Sequence, residues 1–319
     1  MNDEAKQRCV IFDTDMGADD AWALQMILKA EKSRENVKVL AITTVHGNAT
    51  VENVIKNTYR ILDGLDRTDI PIYKGATEPL IPEETKIGMS FGSNGFCDVE
   101  FWKPHYPTDI NEIIQRQNAV EIIRELVIEH PHEISLICLG PLTNIAMAIK
   151  TYPEIKKDIK DVFIMGGNCK GRGNALAGSE FNFYMDPEAA NIALNSLKCP
   201  MTIVPLECAS EIDISLDWRF NVLGSVDHTN VQLLNEIEQI AYRGKQFYTP
   251  FDSLLVAVFL FPEKCIQTKY NYHATVELQG LHTRGQIVFN LNSSKHNVCV
   301  IETVYQEETK TLLLWAANA

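Results

Sequence analysis

Short apolar runs alternate with amphipathic segments along most of this chain, and that alternation leaves few folds open. Residues 9–14 (CVIFDT), 37–45 (VKVLAITTV), 134–139 (ISLICL), 161–165 (DVFIM) and 201–206 (MTIVPL) read as strands, apolar enough to be covered on both faces. Residues 19–30, 50–64 and 118–129, and stretches beginning near Leu142 and Pro187, space their apolar side chains as helices do. Strands alternating with helices imply βαβ units: an open, Rossmann-like, mostly parallel α/β sheet flanked by helices. The rhythm changes late in the chain. Residues 272–279, 285–289 and 297–303 are short strand-like runs separated by turns, and they predict a small antiparallel or mixed C-terminal portion. No repeat, low-complexity tract or linker breaks the pattern, so one domain over residues 1–319 is expected. Residues 77–117 and about 218–250 are the least regular stretches. Long loops near a site commonly act as lids.

Composition narrows the classes of function. A formal net charge of -13 disfavours a nucleic-acid polymer as partner, because such binding depends on clustered Lys and Arg. No apolar run is long enough to span a bilayer, and the opening MNDEAKQR lacks the core of a signal peptide. A cytoplasmic location is expected, with secretion behind an already removed leader as the other reading. The eight cysteines are scattered without CxxC spacing, which suits buried thiols in a reducing compartment and argues against a zinc site.

The chemistry concentrates where the first strand ends. In Asp13-Thr14-Asp15-Met16-Gly17-Ala18-Asp19-Asp20, four carboxylates fall within eight residues. Ligands of open α/β sheets bind beyond the carboxyl ends of strands, so the position suits a site. Packed carboxylates repel one another unless a cation joins them, and an all-oxygen donor set points to Ca²⁺ or Mg²⁺. The plainer alternative is that Asp15 caps a turn and that Asp19 and Asp20 sit at the positive end of a helix. A phosphate ligand would be repelled, which leaves a neutral, hydroxyl-rich substrate.

DTDMGADDAWAL resembles the DTDxGxDDAxAL signature of the inosine–uridine-preferring nucleoside hydrolases. Further blocks follow in the family's order: LAITTVHGNAT at 40–50, LGPLTNIAMA at 139–148, IMGGNCKGRGNALAGSEFNFYMDPEAA at 164–190, TPFDSLLVA at 249–257 and VELQGLHTRGQIVF at 276–289. The resemblance implies calcium-dependent hydrolysis of ribonucleosides. Asp15, Asp20, the backbone carbonyl of Thr143 and Asp252 would be the metal ligands, with Asp15 also the general base. Asp19 would bind the 2′-hydroxyl and Asn182 the vicinal hydroxyls. Asn174 and Glu180 would take the 5′-hydroxyl, Asn48 would support the metal end and Met165 would pack on the ribose. Asp13 would brace the loop. Each residue has a structural rival: Asn174 and Asn182 as turn residues, Asp252 as the N-cap of SLLVAVFL, Thr143 as a cap for a helix starting at Asn144. The resemblance also implies a homo-dimer or homo-tetramer.

The chain departs from the family in one place that bears on mechanism. Many members carry a His before the second metal-binding Asp, and here that residue is Phe251, which has no proton to donate. Phe91 stands near where another family His often falls. A purine stacked between Phe91 and Phe251 is expected, similar to the tryptophan sandwich of the purine-specific branch. Tyr242, Arg243, Phe247 and Tyr248 lie close before Asp252 and are candidates to close over the base. Two other activities stay open: a nucleoside-binding protein without catalysis, which the missing His favours, and a nucleoside phosphorylase, which the acidic loop disfavours.

Overall fold

The computed structural model describes residues 7–82, 91–100, 103 and 106–319. The first six residues of the opening stretch, and residues 83–90, 101–102 and 104–105 of the expected lid, lie outside the described residues. The first half comprises β1 (Arg8–Thr14), α1 (Ala18–Lys32), β2 (Val37–Thr44), α2 (Val51–Gly64), β3 (Ile72–Tyr73), α3 (Ala119–Glu129), β4 (Ile134–Cys138) and α4 (Thr143–Thr151). Then come β5 (Asp161–Met165), α5 (Phe181–Met185), α6 (Pro187–Ser196), β6 (Met201–Val204), α7 (Leu206–Ser210), β7 (Ile214–Ser215), α8 (Leu216–Asn221) and α9 (Thr229–Ala241). The last part holds β8 (Phe247–Tyr248), α10 (Phe251–Leu260), α11 (Pro262–Cys265), β9 (Ile266–Tyr272), β10 (Ala274–Val276), β11 (Ile287–Phe289), β12 (Val298–Val304) and α12 (Gln306–Ala317).

Eight strands form one sheet in the order β3-β2-β1-β4-β5-β6-β12-β9. All pairs are parallel except β12 with β9. The α/β class and the mixed late portion therefore match the sequence reading. β1 lies where the chain turns from building one side of the sheet to building the other, the place where such sheets leave a crevice for ligands. Its side chains alternate between two cores. Val10 and Phe12 pack with α1, α2 and α10, while Cys9 and Ile11 pack with α3, α4 and α6. Burial on both faces is why strands such as ISLIC carry no polar alternation.

Several elements depart from the sequence reading. Residues 218–250 contain the 13-residue helix α9, whose polar residues obscured its 3.6 period. The run 272–279 splits between the end of β9 and the short β10. β9 begins at Ile266, and its exposed edge leaves it too polar to read as a strand. α12 was not anticipated either; it packs on α1, where Gln25 Nε2 donates to the Ala316 carbonyl at 3.1 Å. Among the described residues, no helix is long and apolar enough to cross a membrane.

Candidate active site

The loop from β1 to α1 is held by its own carboxylates. Asp20 Oδ2 accepts from the backbone N–H of Gly17, the N-cap of α1, at 2.9 Å, and Asp20 Oδ1 accepts from Thr14 Oγ1 at 2.5 Å. The capping role weighed for these acids thus belongs in part to Asp20. Asp13 braces the base of the loop, its Oδ2 accepting from Thr43 Oγ1 at 2.6 Å and Asn144 Nδ2 at 2.7 Å. Asp15 Oδ2 accepts from Asn48 N at 2.8 Å, while its Oδ1 is buried with no hydrogen-bond partner among the described residues. Gly47 makes this approach possible: a Cβ there would lie 2.0 Å from Asp15 Oδ2, and its φ of +155° disfavours a side chain.

A second stretch of chain brings the remaining acid. α10 is apolar on every side and buried from Asp252 to Leu260, with Asp252 its one charged residue. Its N-cap is Pro250, so Asp252 lies in the first turn and is not the cap. One carboxylate oxygen each from Asp19, Asp20 and Asp252 falls within a mutual 4.8 Å. Two of the expected metal ligands, Asp20 and Asp252, are thus brought together, with Asp19 beside them. Asp15 stands beside the group, close enough to raise Asp252 electrostatically.

Burial pushes the carboxyls of Asp15, Asp19, Asp20 and Asp252 above their ordinary range, Asp19 to about 8, and mutual repulsion adds to it for Asp15, Asp19 and Asp252. A buried acidic group of this kind, with an orphaned Asp15 oxygen beside it, fits a hard divalent cation bound by oxygen. Such an ion would satisfy the orphan and cancel the repulsion.

Around this acidic floor is a cavity of about 110 Å³. Asp19, Asn48, Phe91, Met165, Asn174, Glu180, Asn182 and Phe251, the eight expected substrate residues, all line it together with Asp252. They come from the start of α1, the loop after β2, the segment between β3 and α3, the end of β5 and the loop after it, and the starts of α5 and α10. Several also have the structural duties suspected of them. Asn174 Oδ1 accepts from Phe181 N at 2.9 Å. Glu180 is the N-cap of α5, and its oxygens accept from the N–H groups of Asn182, Phe183 and Gly167. Burial raises the Glu180 carboxyl to about 7 against those bonds. Asn182 Nδ2 donates to the carbonyls of Leu139 at 2.6 Å and Met165 at 3.0 Å, which fixes the orientation of its amide.

Thr143 is buried as the first residue of α4, with Leu142 as N-cap, so the helix starts one residue earlier than supposed. Its hydroxyl donates to Asp186 Oδ2 at 2.7 Å and lies 2.9 Å from His46 Nε2. With the hydroxyl proton committed to Asp186, Nε2 of His46 must carry the proton of that second bond. Burial lowers His46 to about 4, so the ring is neutral. Sequence reading gave no role to His46, Asp186, Leu139 or Phe181, although each falls in or beside a recognised block. Tyr242, Arg243, Phe247 and Tyr248 are not among the residues that line the cavity. Tyr248 is buried against Arg219, Tyr242 donates its hydroxyl to the Thr249 carbonyl at 3.0 Å, and Arg243 and Phe247 are exposed.

Residues 10–311 match the family described as inosine-uridine preferring nucleoside hydrolase. The chain belongs to that family. Among curated relatives, the pyrimidine-specific ribonucleoside hydrolase RihA of Shigella flexneri serotype 5b (strain 8401) is 30% identical over 316 residues, covering 95% of this chain and 96% of the relative. RihA of Escherichia coli (strain K12) matches at the same identity and coverage, 30%, 95% and 96%. Two solved members of similar fold have a different stated preference. An inosine-guanosine nucleoside hydrolase superposes with a TM-score of 0.86 at 27% identity, covering 98% of this chain and 99% of its own. A purine-preferring ribonucleoside hydrolase from Gardnerella vaginalis gives 0.84 at 25%, covering 98% and 100%. This family member therefore has relatives on both sides of the base preference.

Proposed function

We propose that this chain hydrolyses the N-glycosidic bond of ribonucleosides, with Ca²⁺ as cofactor and a preference for purine bases. The observation that carries the reaction is the single cavity lined by all eight expected substrate residues, with buried carboxylates at its floor. Asp20, Asp252, Asp15 and the Thr143 carbonyl would hold the ion, and the position of Asp19 allows it to share in that task. When bound, Ca²⁺ supplies a fixed point for the ribose hydroxyls and makes the attacking water more acidic.

The chain's own residues do the rest. Asp15 has one anchored oxygen and one without a partner, which suits taking a proton from water. Asp19 accepts from the 2′-hydroxyl, and the oriented amide of Asn182 offers its oxygen to the vicinal hydroxyls. Asn174 and Glu180 hold the 5′-hydroxyl, Asn48 supports the loop, and Met165 packs on the sugar. Positive charge develops on the ribose as the bond breaks, and a carboxylate floor stabilises it. Phosphorolysis is disfavoured because neither Lys nor Arg is among the described residues that line the cavity.

Purine preference rests on Phe91 and Phe251 lining the same cavity. Release of reducing sugar from inosine, guanosine, cytidine and uridine, with and without a calcium chelator, tests both parts. Ribose release that ceases on chelation and is faster from purines supports them; faster pyrimidine cleavage refutes the stacking, and release dependent on inorganic phosphate refutes hydrolysis. Phe251→His is expected to shift the ratio toward pyrimidines. The absent His favours a second reading, a nucleoside-binding protein, which tight nucleoside binding without ribose release would establish. We further propose a cytoplasmic homo-dimer or homo-tetramer, in keeping with the family and with eight cysteines that are all thiols; sedimentation of the purified chain tests the assembly.

A further inference from the structure

The end of the sheet opposite the acidic loop carries a second group of side chains with ligand chemistry. Cys9 near the start of β1, His130 at the end of α3 and Glu133 just before β4 each place one ligand atom within 4.8 Å of the others. The topology makes this meeting. β1 and β4 are neighbours, with Cys9 opposite Ile134, so Glu133 flanks Cys9 directly. His130 is the C-cap of α3, and its carbonyl accepts from Glu133 N at 3.1 Å, folding the turn back onto the strand. Cys9 is buried, and His130 and Glu133 are half-buried.

We propose that Cys9, His130 and Glu133 form a second metal site, suited to zinc and separate from the hard-cation pocket. A thiolate, an imidazole and a carboxylate are the donors zinc favours, whereas Ca²⁺ takes oxygen alone. Tetrahedral zinc with ordinary bond lengths sets its ligands roughly 3.3–3.6 Å apart, inside the 4.8 Å that bounds the present group. Thiolate and carboxylate together balance the charge of the ion, and three protein ligands leave a fourth position for water. Sequence reading argued against zinc because no cysteines are paired; here strand pairing supplies the ligands that local spacing does not. Cys9 lies four strand residues, about 13 Å, from Asp13, so the site is remote from the nucleoside cavity. A bound ion staples the start of β1 to the turn between α3 and β4 and stabilises the fold by mass action.

Titration of the metal-stripped full-length chain with Co²⁺ tests the proposal. One equivalent should produce a thiolate charge-transfer band, and one equivalent of Zn²⁺ should abolish it. The band should vanish in Cys9→Ser, weaken at least tenfold in apparent affinity in His130→Asn and Glu133→Gln, and persist in Asp252→Asn. In parallel, micromolar Zn²⁺ should raise the Tm of the parent chain and not that of His130→Asn, a change at a half-exposed helix end. Absence of a stoichiometric band, or a band that survives in Cys9→Ser and so belongs to another cysteine, overturns the site.

Discussion

On the proposed role of Asp252 as a metal ligand, a side chain that costs stability is also needed for function. It is buried beside Asp19, Asp20 and Asp15, and each raises its carboxyl further. Asp252→Asn is expected to lower kcat/KM by at least about 10²-fold, equivalent to about 2.7 kcal/mol, and to weaken Ca²⁺ binding in calorimetry. In a chelator at pH 8, denaturant unfolding should show the same variant at least as stable as the parent, because one repelling charge has gone. Gly47 works through space rather than charge. A methyl group 2.0 Å from Asp15 Oδ2 must displace that carboxylate, so Gly47→Ala should reduce kcat by about 10²-fold in steady-state assays while leaving nucleoside binding less affected.

At the scale of elements, a buried ion pair packs against the segment that leads into α10. Arg219 of α8 bonds Glu238 of α9, and Glu238 also accepts from Trp22 Nε1 of α1 at 3.2 Å. Arg219 further stacks on Tyr248, four residues before Asp252. Removing one partner strands a buried charge, so Glu238→Gln should cost about 3–5 kcal/mol in urea unfolding, and a paired Arg219→Met/Glu238→Leu change should recover most of it. Nothing in the sequence marked this pair, since both residues fall in the irregular stretch 218–250, where no helix was read. By contrast, β1, β2, β4, β5 and β6 were legible because burial on both faces leaves uninterrupted apolar runs. The short β3, β7 and β8 carry too few residues for any period. Within the site, the eight lining residues were legible through recognised motifs, while the Asp19–Asp20–Asp252 grouping depends on the turn into α10, which no local pattern encodes.

The whole molecule should feel the acidic floor through pH. Folded-state carboxyls raised above their unfolded values bind protons that the unfolded chain has released, so stability is present at low pH and lost as pH rises. For Asp19 that loss runs from about 4 to about 8. Differential scanning calorimetry in chelator should show Tm falling across this window. Saturating Ca²⁺ should raise Tm and flatten the slope, because the ion replaces the protons and favours the folded state. A Tm unaffected by Ca²⁺ at pH 8 would refute the cation site.

The sheet order carries a consequence for how the chain is made. β12 is inserted between β6 and β9, and Asp252 joins the loop after β1 only once α10 has formed. During synthesis, the aspartates after β1 leave the ribosome long before their partner. On the proposed cation site, a nascent chain has no grip on the ion until most of its length has emerged, and the competence to bind it arrives together with the closing of the core.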